Sequence, residues 1–266
     1  MADLTIAFSV LASDFFSQKS KLEQYFSELE TSSLDWMLIV QGEGERPKGL
    51  LGDNPEKIIW SQDIGLSKSR NIALRQCKTK FLICSDWDTR FANDLLVKLV
   101  SELQAIKGEV PFIRLGLQRA DDFGLAHQKL LGQDKNQSIG LEEDRSALAL
   151  TNIASVQICW NVHFIRKHRL GFNELLGLGN KSILPSFGEE YLLALECWAI
   201  SGVYYKTPLL LAATRKHSTG LLTPRTDRVL LALYIFSKLA KKHPTKSAEV
   251  LFKRVKRFLG PNKLDA

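Results

Sequence analysis

Apolar and polar residues along the chain fall into two periods. Leu4, Ile6, Phe8 and Val10 alternate with smaller residues, the pattern of a strand with one face in a core. Leu22, Tyr25, Phe26 and Leu29 then recur at the three- and four-residue spacing of a helix. The apolar run from Trp36 to Val40 suits a buried parallel strand, and Lys57 to Trp60 is a shorter run of that kind. Residues Ser67 to Gln76 read as a helix with Ser67 as its N-cap. Phe81 to Cys84 is a further buried strand that stops at Ser85-Asp86-Trp87-Asp88, followed by a helix from about Ala92 to Ile106 and a strand from Pro111 to Leu115. Such an order requires crossovers, and hence an α/β fold whose mostly parallel sheet is covered by helices on both faces.

The second half is less regular. Residues 118–146 are polar and broken by Gly124, Gly132 and Gly140, so they read mainly as loop. Apolar patterning resumes from Val156 to Phe164, a glycine-rich stretch runs from Gly171 to Gly188, and a helix is predicted from Glu189 to Ile200. Val203 to Tyr205 and Leu209 to Ala213 are the last two strands expected, and no internal repeat is visible. Beyond them, Ala248, Leu251, Phe252, Val255, Phe258 and Leu259 form one helical stripe, with Val250 out of place.

Composition narrows the class. The chain has 266 residues, 45% of them hydrophobic, which favours one large core with an appendage. Its formal charge of +7 is uneven: residues 225–266 carry 11 Lys and Arg against 3 Asp and Glu, leaving 25 against 26 in residues 1–224. The basic character thus belongs to the tail, which argues against nucleic-acid binding by the main domain. Asp3 and Asp14 interrupt the first apolar stretches, so no signal peptide is expected. No run approaches the roughly 20 apolar residues that span a bilayer. Cys77, Cys84, Cys159 and Cys197 lack CxxC spacing and read as buried thiols in a reducing compartment, with the cytoplasm as the expected location.

Four segments carry candidate chemistry. Asp86-Trp87-Asp88 ends an apolar strand, where open α/β sheets bind ligands, and two carboxylates there can hold a divalent cation and a ribose hydroxyl. Taken alone the triplet is more often a solvated turn. Gly65-Leu66-Ser67-Lys68-Ser69-Arg70-Asn71 opens a helix whose N-terminus and basic residues suit a diphosphate. It is neither a dinucleotide fingerprint nor a P-loop. Phe172-Asn173-Glu174, Gly177 and Gly179 lead to Gly188-Glu189-Glu190 at a helix start, where a glutamate either complements the helix dipole or serves as a general base. Arg215-Lys216-His217-Ser218 follows the last strand, and a neutral His217 can complete an oxygen-rich metal shell.

In this order the four segments resemble the family 2 glycosyltransferases of the GT-A fold, and their spacing is also similar to that of the β-1,4-galactosyltransferases. The likeness covers residues 4 to about 220, and divides the chain into a catalytic domain over 1–222 and a helical basic extension over 223–266. It implies an inverting transfer of a sugar from a nucleotide-diphosphate donor, UDP first among them, to an acceptor hydroxyl on a glycan or lipid-linked molecule. Glu190 would be the catalytic base and Glu189 would hold the acceptor or donor sugar. Asp86, Arg70, Gln41 and Ser67 would bind the donor, while Asp88 and His217 would ligate Mn²⁺ or Mg²⁺. This chain departs from the family at Gln41-Gly42-Glu43, where many relatives place an Asp that reads the base, and in having Glu at 190 where Asp is usual. By analogy the setting is surface polysaccharide or lipopolysaccharide assembly, with peripheral membrane contact through 225–259.

Three other readings compete. A dehalogenase-type phosphatase also begins with an apolar strand and DxD, but its pattern wants Thr or Val where this chain has Arg90. A nucleotidyltransferase would need a basic glycine-rich loop after the first strand. A non-catalytic sugar-nucleotide-binding protein of the same fold would not need Asp86, Asp88, Glu190 and His217 together.

Overall fold

The computed structural model describes residues 3–17, 19–32, 34–44, 55–106, 109–120, 128–130, 132–134, 138–179, 184, 187–215 and 225–250. Its strands are β1 (Leu4–Leu11), β2 (Asp35–Gln41), β3 (Ile58–Ser61), β4 (Phe81–Asp86), β5 (Arg90–Phe91), β6 (Phe112–Ala120), β7 (Glu142–Asp144), β8 (Ile158–Asn161) and β9 (Tyr204–Arg215). The helices are α1 (Ala12–Ser17), α2 (Lys19–Glu30), α3 (Leu66–Gln76), α4 (Asn93–Gln104), α5 (Val162–Lys167), α6 (Glu189–Ser201) and α7 (Arg225–Lys242), with a further helical segment over 244–250.

One sheet runs β3-β2-β1-β4-β8-β6-β9-β5, with β7 on β9. It is mostly parallel: β3, β2, β1 and β4 run together, as do β6 and β9, while β8 lies antiparallel between β4 and β6. Helices cover both faces, as the order of elements requires. The alternating Leu4, Ile6, Phe8 and Val10 pack with Leu22, Phe26, Leu29 and Leu99 of α2 and α4. On the other face Ala7, Met37 and Ile39 pack with Leu74 of α3, Leu192 and Leu195 of α6, and Leu231, Ile235 and Leu239 of α7.

Four expectations change. Ser67 lies inside α3 and does not cap it; Gly65, with φ 148°, holds the N-cap position with no side-chain hydrogen bond. The two strands expected at 203–205 and 209–213 are one, β9, whose register against β6 shifts on both sides of Gly116. A Cβ at Gly116 would sit 2.1 Å from the Leu209 carbonyl oxygen, so the missing side chain lets the two backbones approach. The stretch 118–146 contributes the end of β6 and all of β7, besides residues outside the described set. Finally, Val250 is fully buried and Ala248 exposed, the reverse of the helical stripe. The rest of that stripe, from Leu251 onward, lies outside the described residues.

All four cysteines are free and buried. Among the described residues no helix is long and apolar enough to cross a membrane.

Candidate active site

The carboxyl edge of β1, β2 and β4 is the base on which the site is built. Parallel pairing sets Ser9 opposite Asp86 and Leu11 opposite Gln41, so Gln41 and Asp86 end strands on either side of β1. Ser9 Oγ lies 2.8 Å from Ser69 Oγ, fixing the first turns of α3 against this edge.

A second layer is the loop 171–179, which α3 grips along its length. The Leu66 amide donates to the Leu178 carbonyl (2.9 Å), and Ser67 Oγ donates to the Leu176 carbonyl (2.6 Å). Asn71 Nδ2 donates to the Phe172 carbonyl and to Glu174 Oε1, both at 2.8 Å, while its Oδ1 accepts from the Phe172 amide at 2.9 Å. Two glycines make the close approach possible. Gly177 has φ +94°, and a Cβ there would lie 2.7 Å from Ser67 Oγ; Gly179 has φ +81°, and a Cβ there would lie 3.2 Å from Gly65 Cα. Asn173 Nδ2 donates to Tyr234 Oη (2.8 Å), tying the same loop to α7.

Arg70 stands where these layers meet α6. Its guanidinium, 3% exposed, hydrogen-bonds Glu189 Oε1 and lies 3.4 Å from Glu190 Oε2. Burial works against its charge, and Glu189, Glu190 and Asp86 more than offset this, so its pKa is raised. Glu189, 2% exposed, is pushed up to about 8 by burial and by Glu190, with Arg70 opposing; its Oε2 is buried and meets no hydrogen-bond donor among the described residues. The Glu190 side chain is 16% exposed. Asp86 is exposed at the sheet edge, yet loss of hydration raises its carboxyl above the ordinary aspartate range, with Asp88 and Glu190 adding to the rise and Arg70 lowering it. Three carboxylates thus act on a single buried guanidinium, with Asp88 at the margin.

The structure brings Asp86, Arg70, Glu189 and Glu190 together. It gives several of them partners the sequence does not foretell. Arg70, expected at the donor diphosphate, is bonded to Glu189; Ser67, expected at the donor, holds the Leu176 carbonyl. Glu189, expected at a sugar, keeps one oxygen on Arg70. Gln41 Oε1 accepts from the Gly65 amide at 2.7 Å. His217 lies outside the described residues. Among the described residues no three His, Cys, Asp or Glu side chains form a metal cluster. Asp86 and Asp88 offer carboxylate oxygens, the donor type that a hard divalent cation takes. Sequence reading missed Asn71 as the clamp on residues 172–174; its place beside Arg70 in the motif was the available signal.

Solved structures identify the fold. Staphylococcus aureus TarS 1–349 in complex with UDP-GlcNAc superposes with a TM-score of 0.57 at 11% identity, over 94% of this chain and 69% of that one. Mannosyltransferase PcManGT from Pyrobaculum calidifontis, in complex with GDP-Man and Mn²⁺, gives 0.55 at 13% identity, over 97% and 70%. Intact TarS gives 0.52 at 12% identity, over 99% of this chain and 44% of that one. No protein-family profile and no curated protein sequence matches the chain. The fold is therefore the GT-A-like fold of glycosyltransferases.

Proposed function

We propose that the protein is an inverting glycosyltransferase that moves a sugar from a nucleotide-diphosphate donor to an acceptor hydroxyl. The observation that carries this reading is the convergence of Asp86, at the end of β4, and Glu190, at the start of α6, on the buried Arg70. The neighbours of like fold bind UDP, UDP-GlcNAc or GDP-Man with Mn²⁺, which supports a nucleotide-sugar donor here.

Glu190 is the base, because its carboxylate is the more exposed of the pair; Glu189 and Arg70 position it. The acceptor oxygen attacks the anomeric carbon, its proton passes to Glu190, and the carbon–oxygen bond to the diphosphate breaks with the electron pair leaving on phosphate. Asp88 and His217 would hold the divalent cation, with Asp86 on the ribose or assisting. When bound, the cation offsets the charge of the leaving diphosphate. The resemblance favours UDP, but Gln41 departs from the family at the residue that reads the base. Surface polysaccharide or lipopolysaccharide assembly is the proposed setting. The basic extension is the proposed contact with an anionic membrane surface carrying a lipid-linked acceptor.

The test is transfer and donor hydrolysis with a panel of nucleotide sugars and Mn²⁺. Release of nucleoside diphosphate is expected, abolished by chelator and sharply weakened in Asp88→Asn and His217→Ala. Glu190→Gln should lose roughly 10²-fold to 10⁴-fold in rate with donor affinity nearly unchanged. Activity in Glu190→Gln with none in Glu189→Gln would reverse the two roles. If no donor is turned over, the protein is a binder of this fold.

A further inference from the structure

We infer that the rim of the active site is a lipid-contacting surface, on which exposed leucines of the 171–179 loop and of α7 enter the outer layer of a membrane. This rests on the lipid-linked acceptor proposed above, and places a contact at the site itself, apart from the charge of the extension.

Large apolar side chains are exposed almost wholly on one side of the molecule. Among the described residues eight of them reach solvent, and seven stand on segments that leave or cover the carboxyl edge of the sheet; Val97, on α4, is the exception. Leu11 ends β1, Phe16 meets Gly44 just past β2, and Ile64 follows β3. Ile64 Cγ2 lies 3.1 Å from the point where a Cβ on Gly179 would sit, and Gly179 adjoins the exposed Leu178. Leu175 is exposed in the same loop. The Asn173–Tyr234 hydrogen bond carries the line on to α7, where Leu230 stands one turn before Tyr234 and Leu233 beside it, 50% and 63% exposed. Leu231, Ile235 and Leu239 of that helix turn into the core, so its leucines divide between two faces. Single apolar residues scattered over a surface are ordinary, but a line of them along one rim marks a contact.

Whatever covers this line must leave the site open to its acceptor. A Cβ on Gly177 would lie 3.3 Å from Glu189 Oε1, and one on Gly188 would lie 2.6 Å from Leu231, so both the loop and α7 border the glutamates. A second copy or a partner protein seated there would close the approach to Glu190. A lipid layer carrying the acceptor covers the leucines and delivers the hydroxyl from the same side. Asp86 and Asp88 end the same sheet edge and repel anionic headgroups. Attachment at the rim is therefore by apolar burial, for which zwitterionic lipid suffices. Salt screens the attraction of the basic extension to an anionic surface and leaves the rim contact unchanged.

All four native cysteines are buried, so Leu233→Cys supplies an accessible thiol for an environment-sensitive dye, and Val97→Cys supplies a control on α4. With phosphatidylcholine vesicles at high salt, the dye at 233 should shift to the blue while the dye at 97 stays in water. In sedimentation under the same conditions, the double variant Leu230→Ser, Leu233→Ser should bind about 10²-fold more weakly than the parent, roughly ten-fold for each leucine removed. Its donor hydrolysis without lipid should be unchanged. A dye at 233 that stays in water, or one that shifts no more than the dye at 97, overturns the inference. A dye at 233 already in an apolar setting before vesicles are added overturns it too, and assigns the rim to a second copy if the protein sediments as a dimer, or to the chain's own tail if it does not. Donor turnover without vesicle contact overturns this inference alone. Vesicle contact at 233 without turnover of any donor supports the lipid surface and overturns the glycosyltransferase reading.

Discussion

Glu189 and Glu190 are consecutive residues in different settings, because the first turn of α6 buries one fully and leaves the other partly exposed. A buried glutamate pushed up to about 8 holds a proton in the folded state that it has lost in the unfolded chain between its ordinary 4.5 and that value. Over this window the unfolded state binds fewer protons, so this group lowers stability as pH rises, by up to about 1.4 kcal/mol per pH unit. Glu189→Gln should therefore gain on the parent in thermal unfolding scans as pH is raised from 5 to 8. A gap between the two proteins that stays constant or narrows would mean that Arg70 keeps Glu189 ionised throughout. The sequence shows two glutamates at a helix start, but not which is buried, because that depends on Arg70, more than a hundred residues away.

At the scale of elements, the grip of α3 on residues 171–179 decides how firmly α6 is placed. Gly177→Ala introduces a Cβ 2.7 Å from Ser67 Oγ and 3.2 Å from Glu189 Cδ, at φ +94°. A stability loss of about 1–3 kcal/mol is expected in denaturant unfolding. Transfer rate should fall further than stability, since the displaced carboxylate supports the base; a variant that is less stable yet fully active would uncouple the loop from catalysis. Much of this level was legible in the sequence. Strand and helix periods located β1, α2, β2, β4 and α6, because their apolar faces fill two continuous cores. The N-cap at Ser67 was not, since its hydroxyl serves a carbonyl brought close by tertiary folding. Nor was the continuity of β9: Pro208 breaks the pattern, and the β6–β9 register shifts at Gly116 to absorb it. The antiparallel β8 lay hidden in an apolar stretch whose direction no local signal reveals.

For the whole molecule, residues 225–250 share a core with the sheet and α6. Leu231, Ile235, Leu239 and Val250 bury against α6, and Leu231 packs beneath Gly188, next to the two glutamates. Removing 225–266 should leave no cooperative unfolding transition, whereas a chain ending at 250 should keep one. The shortened chain loses Lys253, Arg254, Lys256, Arg257 and Lys263. If the extension meets an anionic membrane at about 1 kcal/mol per basic residue, the parent should sediment with phosphatidylserine vesicles at low salt, and the shortened chain far less. A parent that stays in the supernatant would leave the extension a structural element only. The buried cysteines add a way to watch this architecture move. Burial pushes the Cys84 thiol up to about 12 and raises Cys197 as well, so neither offers a thiolate to a reagent in the closed protein. Cys84 lies in β4 two residues before Asp86, and Cys197 adjoins Glu196, which Lys242 of α7 holds at 2.7 Å. Their rates of alkylation therefore serve as two native clocks, one timing the opening of the sheet edge and the other the undocking of the C-terminal helix.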